Sequence, residues 1–423
     1  MEVLSSYNLI IEVSTIIIIS FLFNGLSKKT NVPSVLMLIL LGVGLQFALN
    51  YFSPEKLNFL PILEVLGIVG LIMIVLEAAL ELELKREKLM PILKSMAIAL
   101  IGLIASAWVA ALILYQLIPE MTMQSAWLYA TPLSILSSAI IIPSVSVLNE
   151  KKKEFHIYES TFSDIFGIMM FYFLVGKLNP AEDSGIVGFS GNILLTIVIA
   201  LVASYAIILI FQKIKSQAKL FLLIAVLLLL YALGKKMHLS SLIIILIFGL
   251  VIANMKLFFS GKLSKFLDLS KAHQIYHELH IITLETAFVV RTFFFVIFGL
   301  TIAVASIFNL DVALISLLII ASIYVIRFVL LRIFLGSDIL PQLFIAPRGL
   351  ITVLLFYAIP EEVIISTFEP GILLFVIIGT SLIMTGAMIY DRRRASKNTN
   401  IANSKKVGTI KWKAPQIDDH INL

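Results

Sequence analysis

Apolar stretches long enough to cross a lipid bilayer recur along almost the whole chain. A spanning helix needs about 20 consecutive apolar residues, and thirteen such windows lie at 6–26, 33–50, 61–81, 92–117, 125–148, 156–176, 190–212, 218–234, 239–258, 279–305, 309–335, 341–361 and 368–390. Only helices or closed barrels satisfy their backbone groups in lipid, and windows of this length predict helices. The charged residues amount to 14%, against about 25% in soluble domains. The sequence therefore predicts an all-α polytopic membrane protein with about 13 transmembrane helices.

Lysine and arginine are concentrated in alternate loops. The richer set of loops carries Lys28, Lys29, Lys85, Arg86, Lys88, Lys151, Lys152, Lys153, Lys213, Lys215, Lys219, Lys256, Lys262, Lys265, Lys271, Arg392, Arg393 and Arg394. Because cytoplasmic loops are enriched in these residues, the pattern predicts a plasma (inner) membrane protein with its N-terminus outside and its C-terminus in the cytoplasm. The net charge of +6 is then a topology signal, and no nucleic-acid partner is predicted.

Several kinds of chemistry are excluded by residues that the chain lacks. It has no cysteine, which rules out disulfides, thioether-linked haem and cysteine-ligated metal centres. It contains neither a GxxxxGK[ST] phosphate-binding loop nor an HExxH metal motif. We therefore predict no cofactor, no direct use of ATP and no enzymatic activity.

The window at 156–176 carries two carboxylates inside an otherwise apolar helix. A charge near the centre of a spanning helix costs about 2.5–3.5 kcal/mol on insertion scales, and such residues often mark an ion or proton path. At 100° per residue, Ser160 and Asp164 share one face of the helix, and Glu159 and Ser163 share the adjoining face. We interpret Asp164, Ser160 and Ser163 as oxygen ligands for a hard cation or a proton. The alternative is two charges lying in the headgroup region.

Two windows are interrupted by proline. Pro143 lies inside 131–148, and Pro347 lies inside 341–360. A proline frees the carbonyl four residues earlier, and freed carbonyls at membrane depth must be buried in protein or line a cavity. The predicted broken-helix site consists of Ser138, Ala139, Pro143, Leu343, Pro347, Arg348 and Gly349. The two windows are the middle members of trios at 92–176 and 309–390 with opposite orientations, which indicates the inverted repeats of a transporter. Ordinary proline kinks are the alternative.

Arginines inside the windows need anionic partners. Arg327 lies well inside the eleventh window, and we expect it to pair with Glu159, which leaves Asp164 free to titrate. Arg291 and Glu285 are a second pair of intramembrane charges, six residues apart on one helix and so not stacked on one face, and Arg291 is expected to have either a structural role or a place on the ion pathway. Glu77 is expected at an interface.

Five short motifs together resemble the monovalent cation:proton antiporter superfamily, the sodium/proton exchangers. They are ESTFSD (159–164), IIPSVSVL (141–148), FFFVIFGL (293–300), IRFVLLR (326–332) and APRGL (346–350), and the resemblance covers residues 33–390. Glu159, Ser160 and Asp164 match the Glu-Ser-x-x-Asn-Asp pattern of the electroneutral branch, with Ser163 in place of asparagine. The sequence departs from the family at Ile141-Ile142-Pro143, where Thr-Asp-Pro is frequent.

The resemblance implies a homodimer in which a six-helix core moves against a dimerisation domain. Two broken helices would cross near the bilayer midplane beside Asp164. The corresponding segments are scaffold helices at 1–91, core helices at 92–176, linker and dimerisation helices at 177–305, core helices at 306–390 and a flexible cytoplasmic tail at 391–423.

The function predicted is exchange of one monovalent cation for one proton through competition at Asp164. Burial favours the protonated form of a carboxyl group, whereas a bound cation favours the ionised form, so the two occupants exclude each other. Na⁺ is the expected ion, with K⁺ and Li⁺ as alternatives, and the paired Glu159 would make transport electroneutral. A proton-linked K⁺ efflux protein, a passive channel and a transport-inactive sensor on the same scaffold remain alternatives.

Overall fold

The computed structural model describes most of the chain, and its regular structure is helical. The described residues are 2–30, 32–52, 60–82, 84, 86–178, 185–214, 219–237, 239, 241–259, 265, 267–301 and 309–407. None of them lies in a β-strand, and the all-α prediction is confirmed. The α-helices of the described residues are α1 (Glu2–Thr30), α2 (Ser34–Phe52), α3 (Leu60–Glu81), α4 (Leu89–Leu117), α5 (Met123–Ser134), α6 (Ser138–Ser144), α7 (Glu150–Gly176), α8 (Gly185–Phe211), α9 (Lys219–Lys236), α10 (Ser241–Ala253), α11 (Met255–Phe258), α12 (Leu269–Thr301), α13 (Leu310–Leu335), α14 (Leu350–Tyr357) and α15 (Gly371–Val407).

Six segments within the described residues are long and apolar enough to cross a membrane. They are Leu89–Leu117, Met123–Ser144, Ser190–Phe211, Leu269–Thr301, Leu310–Leu335 and Gly371–Asp391. Shorter apolar helices at Val13–Ser27, Ser34–Ala48 and Ser241–Ala253 accompany them. The chain is therefore an integral membrane protein, but these segments do not confirm the predicted number of thirteen spans.

The helices pack in two groups. In the first, α4 packs against α5, α7 and α13, α6 packs against α7, α14 packs against α5, and α13 packs against α15. In the second, α1 packs against α2, α12 packs against α2 and α3, and α10 packs against α3, α8 and α9. Fewer contacts join the groups, through α3 with α7 and α14 and through α12 with α14. We call the first the core group and the second the scaffold group. Their members come from the predicted core and scaffold segments, whose exact boundaries stay a prediction.

The C-terminal helix extends beyond its apolar part. α15 continues without a break to Val407, so the first part of the predicted flexible tail, 391–407, is helical. The remaining residues of that predicted tail, 408–423, lie outside the described part of the chain.

Two glycines let α2 and α12 approach each other closely. A Cβ atom added at Gly42 would lie 2.1 Å from the carbonyl oxygen of Val296, and one at Gly299 would lie 2.4 Å from the carbonyl oxygen of Ile39. Both obstacles are backbone atoms, which a side-chain rotation cannot remove. Small residues allow this type of close helix packing in membranes, and here they hold together two long helices of the scaffold group.

We expect Gly42→Ala to destabilise the protein by about 1–3 kcal/mol, the usual cost of overpacking a close contact. Thermal unfolding of the purified protein in detergent measures the change. Gly44→Ala is the matched control, because Gly44 lies on the same helix and a Cβ atom there would meet nothing within 4 Å. Equal unfolding midpoints for Gly42→Ala and Gly44→Ala would show that the close approach of α2 and α12 at Gly42 is not needed for stability.

Candidate ion-binding site

Two interruptions of helical structure lie in the core group. In the first, α5 ends at Ser134 and α6 begins at Ser138, which leaves residues 135–137 non-helical. In the second, a 3₁₀ turn at Gln342–Phe344 is followed by non-helical residues 345–349 before α14 begins. Pro347 lies within the second interruption, where its position in the sequence predicted it. Pro143 lies inside α6 and not within the first interruption. The first interruption is therefore set by tertiary contacts and not by Pro143.

The two interruptions touch each other. The backbone N–H of Ser137 donates to the carbonyl oxygen of Pro347 at 2.9 Å. The neighbouring N–H of Leu136 donates to the hydroxyl oxygen of Ser163, on α7, at 3.0 Å. Because no water is available in the hydrocarbon region, these contacts supply partners that the interrupted helix cannot provide. The broken helices thus meet at the helix that carries the buried carboxylates.

Arg348 stabilises the crossing from the second interruption. Its side chain is buried and donates from Nε to the carbonyl oxygen of Leu133 at 2.9 Å and from Nη2 to that of Ser134 at 3.1 Å. These carbonyls are the unsatisfied acceptors at the end of α5, where a helix dipole favours a positive charge. Nη1 donates to the carbonyl oxygen of Ala346 at 2.7 Å. The guanidinium therefore joins the end of α5 to the second interruption.

We expect Gly349→Ala to lower transport by about ten- to a hundredfold, because displacing a functional site by about 1 Å is often that costly. A Cβ atom at Gly349 would lie 2.5 Å from the hydroxyl oxygen of Ser137 and would push the interruptions apart. The measurement is cation-driven proton flux in proteoliposomes. Gly386→Ala on α15 is the control, since its Cβ atom would meet nothing within 4 Å. Normal flux through Gly349→Ala would show that the close approach is not required.

Asp164 lies on α7 next to this crossing. Only 2% of the residue is exposed, and neither carboxylate oxygen has a hydrogen-bond partner among the described residues. The hydroxyl and backbone N–H of Ser138 lie next to the carboxylate as weak donors, outside the geometry of a full hydrogen bond. A buried carboxylate without a partner is costly. Asp164 therefore needs a proton or a cation.

The other residues that the sequence predicted for this site each have their own contacts in the structure. Ser160 and Ser163 are both buried on α7. Ser160 donates its hydroxyl to the carbonyl oxygen of His156 at 2.7 Å, which leaves its oxygen lone pairs free for a cation. Ala139 is also close, but Arg291 donates to its carbonyl oxygen at 3.0 Å. The side chain of Leu343 packs in a separate apolar cluster with Ile98, Leu331 and Ile339.

Glu159 and Arg327 form an ion pair inside the core group. Arg327 donates from Nη1 and Nη2 to the two carboxylate oxygens at 2.7 and 2.9 Å, and the exposed fractions of the side chains are 8% for Arg327 and 1% for Glu159. The carbonyl oxygen of Gln342 accepts from Nε at 3.1 Å and from Nη2 at 3.0 Å. This pair neutralises Glu159 and leaves Asp164 as the carboxylate without a counter-charge at the crossing.

Two contacts of charged residues were not predicted from the sequence. His156 is fully buried on α7, with Nδ1 3.3 Å from a carboxylate oxygen of Glu159. Its i,i+3 spacing from Glu159 was the one signal that could have revealed it. Glu77 is 14% exposed and pairs with Arg291 at 3.0 Å, so it is not interfacial. The described contacts of Arg291 are to Glu77 on α3 and to Ala139, and not to Glu285, which lies six residues away on its own helix.

Two interrupted helices that cross inside a helical membrane protein, beside a buried carboxylate, define a class of secondary transporters. The comparison with family models agrees with this class. Residues 15–389 match the family described as "Sodium/hydrogen exchanger, transmembrane". The chain therefore belongs to the sodium/hydrogen exchanger family, and the resemblance noted from its motifs is confirmed.

Solved structures of a sodium proton antiporter have the same fold. MjNhaP1 from Methanocaldococcus jannaschii at pH 8 matches with a TM-score of 0.66 and 18% sequence identity, over 92% of this chain and 96% of that chain. A structure of the same antiporter described as a 3D EM map matches with a TM-score of 0.65 and 17% identity, over 98% and 100% of the two chains. A comparison with curated proteins gives no match.

Proposed function

We propose that this protein exchanges Na⁺, or another monovalent cation, for H⁺ by competition at Asp164. The observation that carries the proposal is the buried position of this carboxylate beside the crossing, with both oxygens lacking a hydrogen-bond partner among the described residues. A proton neutralises the carboxylate, and a bound cation compensates its charge. Each occupant removes the reason for the other to bind, so release of one accompanies binding of the other.

The cation would bind between α7 and the first interruption. Asp164 supplies the charge, and the hydroxyl oxygens of Ser160 and Ser163 lie on the same helix within the buried core. Ser138 begins α6 next to the carboxylate and offers a further hydroxyl. Oxygen ligands of this kind suit hard cations. The carbonyl of Ala139 is already occupied by Arg291, so we assign it no part in cation binding in this conformation.

The proposed stoichiometry is one cation for one proton. Glu159 is held by Arg327 through two hydrogen bonds, so a second carboxylate does not take part in the exchange. One positive charge then crosses in each direction and transport is electroneutral.

Alternating access would come from movement of the core group against the scaffold group. An empty, ionised Asp164 is costly to carry through a low-dielectric region, so the movement is favoured only when a proton or a cation is bound. The exposed apolar residues of the scaffold helices include Phe21, Leu22 and Phe221, and this surface must face lipid or a second subunit. We propose a homodimer in the plasma membrane, with the lysine-rich loops in the cytoplasm.

Proteoliposomes that contain a pH-sensitive dye test the proposal. We expect an imposed Na⁺ gradient to move protons, and the apparent KM for Na⁺ to rise with proton concentration while the maximal rate stays constant, as competition requires. Parallel gradients of Li⁺ and K⁺ identify the preferred ion.

Two results would contradict the proposal. Ion flux without proton movement would indicate a channel. A rate that changes when a membrane potential is imposed with valinomycin and K⁺ would contradict electroneutrality.

A further inference from the structure

Arg291 is a charged residue of the scaffold group that lies inside a spanning helix. It is located on α12, and its Nη2 donates to both carboxylate oxygens of Glu77 on α3 at 3.0 and 3.3 Å. Each of these side chains is 14% exposed. Because α3 and α12 pack against each other, the pair lies within the scaffold group. Glu77 thus fixes the position of the guanidinium on the scaffold.

The same guanidinium also contacts the core group. Its Nη1 donates to the carbonyl oxygen of Ala139 on α6 at 3.0 Å. Pro143 lies four residues further along α6 and lacks the N–H that would otherwise bind this carbonyl. The carbonyl therefore needs an outside donor, and Arg291 supplies it. This hydrogen bond joins the two helix groups one residue away from Ser138, the neighbour of Asp164.

A cleft between the two groups is lined by Ala139, the residue whose carbonyl accepts this hydrogen bond. It has a volume of about 170 Å³ and separates the scaffold residues Asn24, Ser27 and Ser34 from the core residues Ala139 and Ser144. One wall is thus formed by α1 and α2 and the other by α6. Relative movement of the two groups must change the width of this cleft and the distance from Arg291 to Ala139 together.

We propose that Arg291 is a positioning residue that stabilises the conformation in which this cleft is open. The ion pair with Glu77 keeps the guanidinium on the scaffold group, and the hydrogen bond from the guanidinium to the Ala139 carbonyl attaches the core group to it. The bond to Ala139 breaks when the core moves, while the pair with Glu77 stays intact. The inference rests on the proposed transport function, since it assumes that the core moves relative to the scaffold.

The absence of cysteine from the chain allows a direct test. Ser146 is exposed and lines the cleft, so Ser146→Cys provides one thiol whose reaction with a membrane-impermeant maleimide reports the open cleft. Membrane fragments that the maleimide can reach from both sides make the labelling rate independent of the orientation of the protein in the membrane. We expect Arg291→Gln to lower the initial labelling rate by about threefold or more, because a charge-assisted hydrogen bond favours the open state by roughly tenfold or more.

The control is another arginine that donates to a carbonyl. Arg332 is exposed and donates to the carbonyl oxygen of Gly336 at the end of its own helix, so Arg332→Gln should leave labelling unchanged. A merely structural role of Arg291 would lower the unfolding midpoint without changing labelling of the folded protein. We also expect Arg291→Gln to alter the maximal exchange rate and to leave the apparent KM for Na⁺ within about twofold, since the ligands of Asp164 are retained.

Unchanged labelling of Arg291→Gln in a protein that still exchanges ions would overturn this inference and leave the proposed function standing. If Arg291→Gln changes labelling but the Ser146→Cys protein with Arg291 intact shows no exchange, the contact between Arg291 and Ala139 controls the cleft and the proposed transport chemistry is wrong.

Discussion

Replacing Asp164 with asparagine is expected to reduce cation-driven proton exchange to the level of liposomes without protein. The amide has nearly the same shape as the carboxyl group, but it can neither release a proton nor compensate the charge of a cation. Asp164 is the carboxylate at the crossing that lacks a counter-charge, because Glu159 is paired with Arg327. The measurement is the dye-based proteoliposome assay. Asp311→Asn is the matched control, since Asp311 is exposed in the first turn of α13.

The same variant gives a second readout that does not depend on transport. A ligand that binds only the folded state raises stability by RT ln(1 + [L]/Kd). Na⁺ should therefore raise the unfolding midpoint of the unsubstituted protein and of Asp311→Asn, but not that of Asp164→Asn. The substitution should itself stabilise the ion-free protein at high pH, because it removes a buried charge without a partner. Full exchange by Asp164→Asn would rule out the carboxylate as the shared site.

Replacing Arg327 with glutamine is expected to destabilise the protein by about 3–5 kcal/mol, the cost of leaving one member of a buried ion pair without its partner. Glu159 would have to stay as an unpaired carboxylate or take up a proton, in a site where 1% of its side chain is exposed, and either state is costly relative to the ion pair. The carbonyl oxygen of Gln342 would also lose the donors at 3.1 and 3.0 Å that it now has. Thermal unfolding in detergent and the yield of folded protein measure this loss.

A double variant separates the effect of an unpaired charge from the effect of losing the hydrogen bonds between Arg327 and Gln342. Glu159→Gln combined with Arg327→Gln removes both charges, and we expect it to regain most of the stability that Arg327→Gln loses, because paired buried charges often contribute little net stability. Asp164 is untouched, so the double variant should still exchange ions. Arg332→Gln, at an exposed arginine five residues further along the same helix, should behave like the unsubstituted protein. If the double variant were no more stable than Arg327→Gln, the loss would come from the contacts to Gln342 and not from an unpaired charge.

The elements of the fold and the residue at its centre could be predicted from local sequence. Long apolar windows must become helices in a membrane, because lipid provides no partner for the backbone. Asp164 and Glu159 were visible because a carboxylate inside such a window is costly and needs a reason to be there. Arg327 was visible for the same reason. Each of these inferences compares the polarity of one residue with that of its neighbours in the sequence.

Contacts between distant parts of the chain were decided by the tertiary structure. The first interruption lies at residues 135–137 and not at Pro143, since the N–H groups of Leu136 and Ser137 find partners on α7 and on the second interruption. Arg291 pairs with Glu77 and contacts Ala139, separated from it by 214 and 152 residues. The sequence by itself determined which residues are too polar to face lipid. The tertiary structure decided which groups satisfy them, because a buried charge or carbonyl takes whichever partner the packing of helices brings within hydrogen-bond distance, whatever its distance along the chain.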